Sequence, residues 1–135
     1  YKEHKLFNLN SAFNHVEVIE IAVLNLRKHE KDFLQRKDLK YVEKFQDTFT
    51  EALDEGSHLV ELLEHLDIET ENVLKLLSIM KQYNDKFNSI VFTYLNYHCA
   101  ISNITEATTD EDEIRRNYEG HKYYCEKQRK NNKIK

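Results

Sequence analysis

Proline is absent from this 135-residue sequence, and glycine occurs only twice, as Gly56 and Gly120. Proline removes a backbone donor and breaks helices, and a β-sandwich or α/β fold of this size needs many turn residues. The two shortages together exclude those folds and point to long, uninterrupted helices. They also remove the glycine-rich loops that cradle nucleotide phosphates. No hydrophobic run approaches the roughly 20 residues of a membrane-crossing helix, and no signal peptide opens the chain. It starts Tyr-Lys-Glu-His without methionine, which fits an excised fragment of a longer protein. The formal charge of −4 gives nucleic-acid binding no support. The tail is locally basic (Lys122, Lys127, Arg129, Lys130, Lys133 and Lys135 against Glu126), and we read it as a solvated helix end, favoured by the macrodipole.

What is present is helical patterning. Hydrophobic residues make up 40% and charged residues 33%, a balance that suits helices with wet outer faces around one core, and the length suffices for one domain. The first helix is expected at about residues 3–36, with a seam of Leu9, Ala12, Val16, Ile19, Val23, Leu26, Glu30 and Phe33 in alternating steps of three and four. The second is expected at about 39–66, along Val42, Phe45, Phe49, Ala52, Gly56, Leu59, Leu63 and Leu66. The third is expected at about 70–106, along Val73, Leu76, Met80, Tyr83, Phe87, Ile90, Tyr94, Tyr97, Ile101 and Ile104, the longest unbroken periodicity in the chain. A fourth is expected at about 110–130, with Ile114, Tyr118, His121 and Cys125 on one face. Asp38, Asp67, Thr70 and Thr108 are candidate N-caps. Short links force antiparallel neighbours, so the expected fold is all-α: one domain over residues 1–135, an antiparallel up-down-up-down four-helix bundle with long helices.

The polar residues offer few arrangements for chemistry. Seven histidines invite a metal, but a bundle di-iron site needs two Glu-x-x-His pairs and only Glu55–His58 has that spacing. His58 and His65 share a face without completing a zinc site. No metal or cofactor is therefore expected, and no nucleophile–base motif marks an enzyme. Cys99 and Cys125, with a turn placed at residue 108, fall ~12 Å apart along the helices, beyond the ~7 Å a disulfide spans; free thiols are expected. Gly56 should lie level with Met80 and near Glu20, a glycine kept inside a helix for close packing. Glu30 in the first seam needs a partner. Arg27 could supply it from the same helix, or could instead hold a ligand carboxylate in its fork. Lys28, Asp32 and Arg36, spaced by four, should form an outer ion-pair ladder.

The stretch LRKHEKDFLQRKDLKYVEKF resembles the first helical hairpin of periplasmic sensor domains in bacterial methyl-accepting chemotaxis proteins, of the helical-bundle and helical bimodular types. Leu26, Arg27, Glu30, Lys31, Asp32, Phe33, Leu34, Arg36, Asp38, Lys40 and Tyr41 carry the likeness. A looser one extends to YNDKFNSIV at 83–91. Beyond Val91 the wording departs from that family, and a single four-helix module fits the length better than a bimodular one. The resemblance implies a periplasmic domain of an inner-membrane protein, anchored by flanking spans. It would sense a small organic acid, amino acid or amine, as a homodimer, and pass binding to a cytoplasmic signalling module by helix displacement. Polar seam positions then nominate Arg27, Tyr94, Tyr97 and Arg115 as ligand-binding residues. The alternative is a stand-alone helical protein-interaction module with no small ligand.

Overall fold

The computed structural model describes residues 2–105 and Cys125, with side chains described from residue 8 to residue 100 and at Cys125. Three helices follow in order: α1 Lys2–Arg36, α2 Lys40–His65 and α3 Glu71–Thr105. No strand occurs among the described residues. The expected fourth helix lies outside the described residues except for Cys125, which is helical. The chain divides into two compact units, Tyr1–Asp85 and Lys86–Lys135, with α3 continuing across the division.

The helix ends explain the short links. Asp38 works much as its composition predicts, accepting the Lys40 backbone N–H at 2.9 Å. Leu39 occupies the formal cap and offers no side-chain bond. With glycine scarce, the chain leaves its helices through other residues. Lys37 and Asp67 adopt left-handed φ values of 56° and 57°, the conformation that usually selects glycine after a helix. At the end of α2, Asp67 N–H donates to Glu64 O and Ile68 N–H to Leu63 O, at 3.1 and 2.9 Å, which satisfies carbonyls the helix would otherwise leave open. Thr70 contributes its backbone carbonyl to the start of α3, accepting from Leu74 N–H at 3.0 Å.

In the first unit, α1 and α2 form an antiparallel hairpin. Ala12, Ile19, Leu26 and Phe33 of the expected α1 seam are buried, joined by Ala22. The α2 seam is buried at Phe45, Phe49, Ala52, Gly56 and Leu59, joined by Tyr41. From α3 this unit buries Leu77 and Met80. The second unit buries Phe87, Val91, Leu95, Cys99 and Cys125.

The face of α3 agrees with expectation at Met80 and Phe87 and differs elsewhere. Leu76, Ile90 and Tyr97 of the predicted seam are 39%, 48% and 66% exposed, and Val16 of the α1 seam is exposed too. The reason is local. Leu76–Leu77, Ile90–Val91 and Tyr94–Leu95 are adjacent apolar pairs, so a heptad count fits either member, and the second of each pair is the buried one. Gly56 follows suit: its neighbour on α3 is Leu77, one turn before Met80, and a Cβ at residue 56 would overlap the Leu77 side chain.

Candidate functional site

The stretch from Leu26 to Tyr41 is first of all architecture. Leu26 and Phe33 are among the most deeply buried side chains, and Glu30, between them on the same face of α1, is half-buried. Its partner comes from α3: the Tyr83 hydroxyl donates to the Glu30 carboxylate. Burial pushes the Tyr83 phenol far above its ordinary range, the hydrogen bond and charge of Glu30 push it further, and Arg27 pulls the other way. Tyr83 is therefore a protonated donor at neutral pH. Arg27 is exposed and acts on Tyr83 only through its charge. The partner expected from the same helix thus comes from α3, while Arg27 stays exposed.

A second bond lies one residue along α3. Gln46 Nε2 donates to Asn84 Oδ1 at 3.1 Å, and the rings of Phe45 and Tyr83 meet with centroids 5.5 Å apart, tilted by 53°. Glu30, Gln46, Tyr83 and Asn84 thus form a polar layer joining α1, α2 and α3 within the first unit. His29, next to Glu30, buries its Nδ1 without a hydrogen-bond partner. Burial, then Lys44 and Lys28, hold its pKa below the ordinary histidine value, against a smaller upward pull from Asp32.

The outer ladder is not formed. Arg36 instead donates from Nη1 to the Tyr41 hydroxyl at 2.7 Å. Arg36, Lys40 and Lys44 surround the Tyr41 ring at 5.7, 5.1 and 5.5 Å from its centroid, within cation–π range. Of the expected ladder, Arg36 is drawn to the tyrosine instead.

Nearer the other end of the hairpin, His15 Nδ1 lies 2.5 Å from Glu55 Oε2, and the His15 and His58 rings are 6.2 Å apart. The lone Glu-x-x-His pair is thus drawn into a link between α1 and α2. Among the described residues, no group of three His, Cys, Asp or Glu side chains is placed to hold a metal.

The nominated ligand residues are not all in one unit. Arg27 belongs to the first. Tyr94 and Tyr97 belong to the second, where Tyr94 stacks on His98 with centroids 5.7 Å apart and Tyr97 is exposed. Burial raises the Tyr94 pKa. Arg115 lies outside the described residues. Tyr83, Gln46 and Asn84 were not nominated; Tyr83 was readable as a seam hydroxyl in need of a partner, but its partner was not.

Cys99 and Cys125 are not free thiols. They form a disulfide with Cα atoms 5.5 Å apart. A level pair needs equal legs on either side of the chain reversal, and the turn assumed at residue 108 made the legs unequal. Comparisons with protein-family models, curated proteins and solved structures find no match.

Proposed function

We propose that this chain is the extracytoplasmic ligand-sensing domain of a transmembrane chemoreceptor or related signal transducer. In this reading it is a four-helix bundle, completed by residues of about 110–130, that pairs as a homodimer and passes small-molecule binding to a cytoplasmic module by helix displacement. The observation that carries the reading is the α1–α2 hairpin: its family-like stretch places Leu26, Phe33 and Tyr41 in the core and brings Glu30 to Tyr83. The Cys99–Cys125 disulfide supports an oxidising compartment such as the periplasm.

The ligand site belongs beside the polar layer. Arg27 is exposed one turn from Glu30, whose carboxylate already bonds a neutral phenol. An anion on the Arg27 fork, or an ammonium competing for Glu30, would alter the link between α1 and α3. Only a ligand with different affinity for two packings can shift them. The test is a thermal-shift screen of organic acids, amino acids and polyamines, followed by titration of any hit. Arg27→Ala should weaken binding of a carboxylate hit about tenfold or more, since charge-assisted bonds contribute ~1.5–3 kcal/mol; unchanged affinity places the site elsewhere.

A second reading, a stand-alone helical interaction module, is favoured by one observation. Phe13, Ile21 and Leu24 of α1 are exposed on one side of the helix, with the exposed Glu17 and Glu20 among them, a mixed apolar and acidic face suited to a protein partner. Membrane spans flanking the domain in its parent chain would decide for the sensor, and their absence for the module.

A further inference from the structure

We propose that α3 is a two-state helix, able to turn about its own axis by roughly 60°, under the 100° between neighbouring residues, and so exchange one apolar seam for another against α1 and α2. This goes beyond the sensing role and does not depend on it, because it stands on packing alone.

The seam in use contains Leu77, Met80 and Phe87. The alternative contains Leu76, Met80, Tyr83 and Phe87, in unbroken steps of four and three. Met80 and Phe87 belong to both, so the turn pivots on side chains that stay covered. Leu76, now exposed, would take the place of Leu77, two leucines of equal volume. The choice recurs in the second unit, where Val91 is buried and Ile90 exposed. Packed interfaces hold discrete alternatives rather than a continuum, and equal-volume apolar swaps are the ones a core tolerates best.

Two features hold the present state. Leu77 fills the notch that Gly56 leaves in α2, and Asn84 is held inward by Gln46. Tyr83 belongs to the alternative seam and is already half-buried, bonded to Glu30 of α1, so the turn would carry it further inward. Removing the notch should release the helix. Gly56→Ala does this while improving the helix propensity of α2 by about 1 kcal/mol, which offsets part of the cost of displacing the flexible end of the Leu77 side chain, and circular dichroism checks that helix content is kept.

Thiol labelling reads the result. Both native cysteines are bonded to each other and none is free, so a single introduced cysteine is the only site for a maleimide. Leu76→Cys and Asn84→Cys are each labelled with and without Gly56→Ala. The two-state helix requires opposite changes: slower labelling at residue 76 and faster at residue 84, shifting their rate ratio by about tenfold. Leu77→Gln, which makes the notch unattractive without filling it, should shift the ratio the same way, with circular dichroism confirming that helix content is kept. If both rates rise together the core has merely loosened. If the ratio is unchanged by both substitutions, α3 has a single packing. Either outcome overturns the proposal.

Discussion

Tyr83 and Lys37 show how much one residue can carry when glycine and proline are missing. Tyr83 is a neutral donor to a half-buried carboxylate, and Tyr83→Phe leaves Glu30 without that bond. The expected loss is about 1 kcal/mol, read from urea unfolding at pH 7. The pH dependence has a definite sign. In the unfolded chain this phenol ionises near 10.0, whereas in the folded protein it is raised, so the folded state falls behind as pH climbs above 10, and Tyr83→Phe should flatten the decline in stability between pH 9 and 11. His29 works at the other end: its lowered pKa keeps it neutral in the folded protein while the unfolded chain takes up a proton below about 6.5. Stability is lost as pH falls through that range, and His29→Gln should remove part of the loss. Lys37 adopts a left-handed conformation, which favours glycine by about 1 kcal/mol; Lys37→Gly should raise the unfolding free energy by that order in urea, since the Lys37 Nζ bond to Leu34 O that it removes is exposed. Of the residues involved, Glu30 was legible in the sequence as a seam carboxylate needing a partner. What was not visible was the partner, since Glu30 and Tyr83 are 53 residues apart and inter-helix register is not a local property.

At the scale of the helix, sequence and structure agree where one apolar row has no rival. The α2 row is nearly unambiguous, and its core positions were legible from spacing: Phe45 is fully buried, and Phe45→Ala should cost about 3–5 kcal/mol by chemical denaturation. The α3 row buries Met80 and Phe87 as expected, but it has rivals at 76/77, 90/91 and 94/95, where the heptad count selects the more exposed member of each pair. The distinction predicts a contrast: Ile90→Lys should change stability by no more than about 0.5 kcal/mol, whereas Val91→Lys, which buries a charge, should cost several. Similar costs for both would show that the two faces of α3 are not distinguished in this way. The fate of Arg36 was not legible, because the hydroxyl and ring of Tyr41 hold it beside Lys40 and Lys44.

For the molecule as a whole, the all-helical class could be read directly from missing proline and scarce glycine. The disulfide could not: a pairing across a reversal depends on where the reversal lies, and a shift of a few residues moves level cysteines past each other. With a sequence separation of 26, the bridge constrains the unfolded chain by about 3–4 kcal/mol in the loop-entropy account. Replacing both cysteines by serine should therefore speed amide hydrogen exchange in α3 beyond residue 86 and leave the α1–α2 hairpin protected, as expected for two compact units. Equal acceleration in both would show that the units unfold as one.

The same bridge also sets how the chain bears load. A pull on the chain beyond residue 125 is delivered to α3 at residue 99, and the intervening stretch carries none of it. Stretched between its ends in an optical trap, the oxidised protein should come up short by the length of those 26 residues, roughly 90 Å when extended. A reductant should release that stored contour in a single step.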